Sequence, residues 1–282
     1  MVGQGALAGE DANSLSQTNE GTIVLRIAYD GGGFSGFAEQ PQEGVRTVAG
    51  EVRRALETFL RRSVTLVCAG RTDAGVHAVG QYVSMPAASD ELEIGRSRWF
   101  SAMRALFPED VSLLEVYHAA PGFSARFDAR SRMYTYRIVD GDVRPLLTRD
   151  VVWWHRGLLD DLAMEEAAQV LVGEHDFKSF CKVESALGRS TSRYVSEVSF
   201  ERRTELGEDL LAFSITGNAF LHTMVRTIVG SLVEVGAHRR EPDWLGEALE
   251  ACDRRAAGPT APAKGLCFVD VSYDEGALTV CP

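Results

Sequence analysis

No stretch of this 282-residue chain approaches the run of roughly 18 apolar residues that a membrane-crossing helix needs. Residues 1–21 are rich in Gly, Ala, Ser, Asn and acids, with no basic start and no apolar centre, so they do not read as a secretory signal. They are expected to form a disordered tail, and the protein is expected in the cytoplasm. The five cysteines, Cys68, Cys181, Cys252, Cys267 and Cys281, include no C-x-x-C pair, which argues against a zinc site and against a disulfide framework. Cys68 and Cys267 fall in apolar, strand-like runs and read as small core residues. An excess of positive charge is missing too: 29 Lys and Arg stand against 40 Asp and Glu, a net of −11. That balance opposes a nucleic-acid-binding face unless the basic residues are gathered in one place.

The distribution allows such a face. Acids concentrate in the tail and in 90–93, 160–176 and 201–209, whereas 125–149 carries Arg126, Arg130, Arg132, Arg137, Arg144 and Arg149 against Asp128, Asp140 and Asp142. Lys178, Lys182, Arg189 and Arg193 form a second basic region, and Arg226, Arg239 and Arg240 a third.

Apolar periodicity predicts two similar halves. Residues 22–29 (TIVLRIAY) alternate as a strand, followed by the glycine-rich turn at 30–33. Thr47 is placed to cap a helix with Val48, Val52, Ala55, Leu56 and Phe59 on one face. Strands at 64–69 and 77–85 flank a loop, Ser97 is expected to cap a helix ending before Pro108, and 111–118 is a strand. The second half repeats the pattern: a strand at 132–139, a helix led by Asp160 and Asp161 to near Gly173, a hairpin from 192–202 and 210–216, helices at 219–235 and 244–251, and a strand at 265–273. The expected class is α+β: two ferredoxin-like β-α-β-β-α-β halves, 22–120 and 121–282, whose sheets join into a mixed, mainly antiparallel sheet with a central cleft.

The loop Gly70-Arg71-Thr72-Asp73-Ala74-Gly75 carries the chemistry. Alone, Asp-Ala-Gly reads as a tight turn whose Asp caps its own backbone. Arg71 adds a second possibility. In a strand-like segment, residues i and i+2 point to the same side, so the guanidinium can pair with the Asp73 carboxylate. A nearby cation favours the ionised form that a nucleophile or base requires.

The run AGRTDAGVHAVGQ resembles the signature of the tRNA pseudouridine synthase A family, close to AGRTDxGVHxxGQ. The resemblance continues through FSARFDARSRMYTYRI, GEHDFKSF, NAFLHTMVRTIVGSLVEVGA and GLCFVDVSY, and spans about 23–273 in the family's order. It implies the pseudouridine synthase fold with a central RNA-binding cleft, a homodimer, and isomerisation of tRNA anticodon stem-loop uridines at positions 38 to 40. Residue by residue, it implies Asp73 as the catalytic nucleophile, Tyr134 as the tyrosine that stacks on the target base, Arg71 as the basic residue of the loop, and Arg226 as the arginine that pairs with the catalytic carboxylate. The reaction breaks a C1′–N1 bond and forms a C1′–C5 bond without oxidation or an added group, so the resemblance implies no cofactor and no metal. The chain departs from the family's usual YDGxxYxGWQxQ, with Phe37 in place of Trp and Ala38 in place of Gln, and Met133 stands where a basic residue is common.

Each partner also has a structural reading. Tyr134 and Tyr136 share a strand face and can both be core. Arg226 lies on an otherwise apolar helix, where an unpaired charge is costly, and Asp73 is its expected partner. His77 and His222 read as satisfied structural histidines, and Phe177 and Phe180 as core. Two other functions compete: a non-catalytic RNA-binding protein of two ferredoxin-like units, and a nucleotide-binding enzyme using 31–36. The second is weakened because that loop lacks G-x-G-x-x-G and a Walker Lys-Ser/Thr.

Overall fold

The computed structural model describes residues 20–42, 44–188 and 190–282. Of the expected tail, 1–19 lie outside the described residues, as does Arg189; Gly21 already opens the first strand. In chain order the elements are β1 (Gly21–Tyr29), α1 (Val48–Leu60), β2 (Val67–Cys68), β3 (His77–Ala87), α2 (Ser89–Leu92), α3 (Arg96–Leu106), β4 (Val111–Ala119), β5 (Ser131–Asp140), β6 (Trp153–His155), α4 (Asp161–Ala168), β7 (Gly173–Asp176), α5 (Val183–Ala186), β8 (Ser192–Glu205), β9 (Glu208–Gly217), α6 (Met224–Gly236), α7 (Trp244–Glu250), β10 (Leu266–Ser272) and β11 (Thr279–Val280).

These strands form one mixed, mainly antiparallel sheet in the order β11-β4-β1-β3-β10-β5-β9-β8-β7, with β2 on β3 and β6 on β5. The first half runs β4-β1-β3-β2 and the second β10-β5-β9-β8, so each half has its fourth, first, third and second strand in that sequence. The α+β expectation of two ferredoxin-like units holds. The halves meet where β10 pairs in parallel with the start of β3, Cys267 opposite His77 and Phe268 opposite Ala78. The far end of β3 pairs with β2 instead, Val67 opposite Ser84 and Cys68 opposite Val83. The Asp73 loop therefore leaves the sheet at the point where one half hands over to the other. One continuous buried apolar cluster, including Val52, Leu56, Trp99, Ile228, Leu232 and Phe268, runs through both halves.

Local chemistry explains most boundaries. Thr47 caps α1 by accepting from the Gly50 N–H at 3.3 Å, and Asp160 caps α4 by accepting from Ala163 at 3.0 Å. Ser97 does not cap α3. The helix starts two residues earlier than a Ser97 cap implies, with Gly95 at the cap position, and the Arg96 N–H donates to the Pro282 carbonyl at 2.7 Å, so a distant backbone group satisfies a helix-start donor. Residues 219–223, expected as helix, are loop, and Thr223 adopts a left-handed φ of 63° just before α6. This segment is fastened to β8: Asn218 donates its N–H to Tyr194 O at 2.9 Å and accepts from the Tyr194 N–H at 3.1 Å through its side chain.

The seam depends on one glycine. A Cβ on Gly80 would lie 2.0 Å from the Val269 carbonyl oxygen, where β10 bulges against β5. Gly80→Ala is expected to force the halves apart and to destabilise the fold by about 3 kcal/mol. Urea unfolding checks this as a lowered midpoint at unchanged slope.

Candidate active site

Asp73 sits in a loop braced from behind. Thr72 turns inward, its hydroxyl 2.8 Å from the Tyr29 hydroxyl, while Arg71 and Asp73 both line the opposite, open side. The glycine-rich segment after β1 packs against this loop. The Phe37 N–H donates to Thr72 O at 3.0 Å, and Gly36, at φ 102°, approaches so closely that a Cβ would lie 3.2 Å from that same oxygen. The same segment is tied to the start of α1, since Val48 N–H donates to Gly36 O and Ala49 N–H to Phe37 O. Residues 31–37 thus serve as a buttress for the loop, a role that answers the nucleotide-cradle alternative.

The carboxylate faces α6. The Arg226 Nη1 donates to Asp73 Oδ2 at 3.0 Å, and its Nε donates to the Ala261 carbonyl at 2.8 Å. The apolar helix therefore does hold its arginine against a carboxylate, the one expected. His222 Nε2 lies 3.4 Å from Asp73 Oδ1, an ion pair when the imidazole is protonated. Each carboxylate oxygen has one C-terminal-half partner.

Arg71 behaves differently from the expected pair. It shares the open side with Asp73, as the i, i+2 relation requires, but it makes no ion pair or hydrogen bond among the described residues. Arg226 and His222 occupy both carboxylate oxygens, and Arg71 is left exposed to solvent. His222 was read as structural, yet it is half-exposed beside the carboxylate. His222 lies in the loop before α6, with the left-handed Thr223 between it and the helix, so no helical spacing in the sequence signalled that it would join Arg226 at Asp73. His77 is buried, as its structural reading has it, with Nδ1 at 3.1 Å from the Gly31 N and 3.0 Å from Asp30 Oδ1, but its Nε2 has no hydrogen-bond partner among the described residues, so it is not the fully satisfied histidine expected. Phe177 and Phe180 are fully buried core.

Tyr134 and Tyr136 part company. Tyr136 is core, its hydroxyl donating to Pro262 O at 2.7 Å. Tyr134 lines the cleft, packed edge-on against Phe268 and Phe220 with ring centroids 4.8 and 5.1 Å away. Two residues before it, Arg132 is buried and donates only to carbonyls: Ala69 at 3.2 Å, Ala129 at 3.1 Å, Asn218 at 2.6 Å, and Arg126. This guanidinium fastens the strand leading to the Asp73 loop to the segment before α6.

These groups surround a cleft of about 700 Å3 whose lining includes Arg71, Arg126, Arg132 and Arg193 together with Asp73 and Tyr134. A cleft of this size, with an anchored carboxylate, an aromatic ring and several guanidinium groups, suits a flipped base and its phosphate. Among the described residues, no group of three or more His, Cys, Asp or Glu is placed to hold a metal ion, and no helix is long and apolar enough to cross a membrane.

Residues 167–274 match a family described as tRNA pseudouridine synthase. The tRNA pseudouridine synthase A of Moorella thermoacetica is 40% identical over 251 residues, 89% of this chain and 99% of that protein. The enzyme of the same name from Methylococcus capsulatus is 42% identical over 253 residues, covering 90% of each. The chain belongs to the tRNA pseudouridine synthase A family. Among solved structures, a Cbf5-Nop10-Gar1 complex aligns with 86% of this chain and 61% of the matched chain, at 15% identity and a TM-score of 0.35. The loop with Asp73 at its centre lies in the stretch shared with these two relatives.

Burial pushes the Tyr134 phenol well above the usual 10, and the neighbouring Tyr29 and Asp73 add to the shift. A phenol with a raised folded-state value contributes stability that is complete below pH 10 and is lost as pH rises beyond it. In an alkaline titration, the phenolate absorbance of wild type minus Tyr134→Phe is expected to stay flat through pH 10.

Proposed function

We propose that this chain converts uridines of the tRNA anticodon stem-loop, at positions 38, 39 and 40, into pseudouridine, with Asp73 as nucleophile and no cofactor. The observation that carries this reading is the Asp73 carboxylate, anchored by Arg226 at 3.0 Å in a cleft that also holds Tyr134 and arginines with no carboxylate partner among the described residues.

The chemistry follows from the groups present. An Asp73 oxygen attacks C1′ of the flipped nucleotide, and the C1′–N1 electron pair leaves with the uracil, which departs as an anion. Arg226 holds Oδ2, so Oδ1 is the oxygen whose partner, the half-exposed His222, is freer to yield. The detached base is kept against Tyr134, where base–aromatic contact is worth roughly 1–3 kcal/mol. The base turns, C5 forms the bond to C1′ as the Asp73 oxygen leaves, the C5 proton departs, and N1 is protonated. Uridine and pseudouridine are isomers, so no atom or electron is left over. Because burial keeps the Tyr134 phenol protonated, Tyr134 serves as a surface and Asp73 is the carboxylate available to take up the C5 proton.

Arg71, Arg126 and Arg193 stand at this cleft as contacts for the RNA backbone, with tRNA shape read more than sequence. A second copy of the chain is part of the proposal. Exposed Val143, Leu146, Leu147 and Leu158 come from two loops linked by the Gly141 N–H donating to Gly157 O, and with Leu162 of α4 they supply an apolar surface for it.

The test is tritium release from tRNA labelled at uridine C5, without added metal or nucleotide. Wild type is expected to release tritium, and Asp73→Asn to release none while binding tRNA within about 3-fold of wild type. Equal release by both proteins, or tight binding by wild type without release, sinks the reading and favours the RNA-binding alternative. Tyr134→Ala is expected to lose turnover while keeping tRNA affinity. Raising salt from about 50 to about 200 mM is expected to weaken tRNA binding by roughly 10²-fold, and Arg126→Ala to flatten that dependence.

A further inference from the structure

The reacting loop is gripped from below by a side chain that never reaches the cleft. Gln81, on β3, has no solvent exposure. Its Nε2 donates to the Gly70 carbonyl at 2.6 Å, and its Oε1 accepts from the Gly70 N–H at 3.4 Å. The amide thus offers Gly70 both halves of a ladder pair at the point where β2 has ended and the chain has left the sheet. The same Nε2 reaches the Tyr29 hydroxyl at 3.5 Å, and that hydroxyl lies 2.8 Å from Thr72 Oγ1. An amide nitrogen can only donate, so the Tyr29 oxygen accepts from it, and the hydrogen bond between the Tyr29 and Thr72 hydroxyls continues the chain. One buried chain, Gln81 to Tyr29 to Thr72, therefore fixes Gly70 and Thr72, the residues three before and one before Asp73.

Gly70 also sets the spacing between the carboxylate loop and the aromatic surface. A Cβ there would lie 3.0 Å from the Phe268 ring and 3.5 Å from the Tyr134 hydroxyl. A loop that slipped at Gly70 would carry Asp73 with it and change its distance to Tyr134 together. Burial keeps the Tyr29 phenol protonated, so the chain of donors is intact across the working pH range.

We propose that Gln81 and Tyr29 are positioning residues that act through Gly70 and Thr72 to set Asp73 against Tyr134 for turnover, while tRNA binding does not depend on Gln81 or Tyr29. The proposal rests on the reading of Asp73 as the reacting group. Neither Gln81 nor Tyr29 lines the cleft, so their loss should leave the RNA-contacting surface unchanged. A misplacement of about 1 Å in a reacting group can cost on the order of 10²-fold in rate.

The experiment measures single-turnover tritium release, tRNA affinity and melting temperature for wild type, Tyr29→Phe, Gln81→Ala and Gln81→Glu. Tyr29→Phe removes one oxygen and keeps the ring, and is expected to lower the rate about 10-fold. Gln81→Ala is expected to lower it about 10²-fold, both with tRNA affinity within about 3-fold of wild type. In Gln81→Glu only the protonated acid can donate to Gly70 O. Its rate should therefore approach that of wild type at the acid end of the range and fall as pH rises, a profile that wild type lacks. If Gln81→Ala does not fold, Tyr29→Phe and the Gln81→Glu profile decide. Undiminished rates in folded variants, weakened tRNA binding that accounts for the whole loss, or a Gln81→Glu profile parallel to wild type overturns the positioning role. Absence of release by wild type overturns the synthase reading itself, a separate result.

Discussion

The contact between Asp73 and Arg226 is the constraint around which the rest of the molecule is arranged. One partner stands on a loop of the first half and the other in the first turn of a helix of the second, 153 residues later. A 3.0 Å contact across that separation tolerates little error in how the halves meet. Its side chains are about four-fifths shielded, at 18% and 19% exposure, so loss of either partner would strand a largely desolvated charge. The placement suits the helix as well: a cation in the first turn of α6 opposes the helix dipole, and the carboxylate brought beside it restores the balance.

The sheet supplies the required accuracy. β10 runs parallel to the start of β3 and antiparallel to β5, so the same strand fixes the register of the Asp73 loop and of Tyr134. Phe268 lies opposite Ala78 on one side and Tyr134 on the other, and Gly80 admits the bulge of β10 beside them. Arg132 adds a second tie between the halves through Ala69 and Asn218. Since that guanidinium meets only carbonyl oxygens, its charge is not cancelled, and it contributes to the field of the cleft as well as to its geometry.

How much of this was legible in the sequence differs from residue to residue. Strand alternation and the Thr47 and Asp160 caps are local signals, and they marked elements that the structure contains. The Arg226–Asp73 pair was legible because a charge in an apolar helix demands a partner. Other features depend on tertiary contacts that no local pattern carries. The start of α3 is satisfied by Pro282 at the opposite end of the chain, and the first turn expected for α6 is unwound by the Asn218–Tyr194 tie. Arg71 kept the side of the loop that alternation assigns it, but Arg226 of α6 and His222 of the loop before that helix occupy both carboxylate oxygens and left it without its expected partner.

The charge distribution resolves the apparent conflict between an acidic chain and a polyanionic substrate. Away from the cleft, many arginines are spent on carboxylates: Arg46 on Asp110, Arg96 on Glu115, Arg202 on Asp140 and Arg239 on Glu234. At the cleft, Arg71, Arg126, Arg132 and Arg193 have no carboxylate partner among the described residues. The net charge of −11 therefore describes the body, and the cleft retains positive charge that the body has neutralised elsewhere. An acidic exterior repels RNA that arrives in the wrong place, while a low-dielectric basic cleft focuses the attraction on one region. Two carboxylates line this region, Glu39, which Arg53 pairs, and Asp73, the group that Arg226 holds fixed. The pairing that holds the Asp73 carboxylate in place thus also screens its negative charge from the phosphates of an RNA in the cleft.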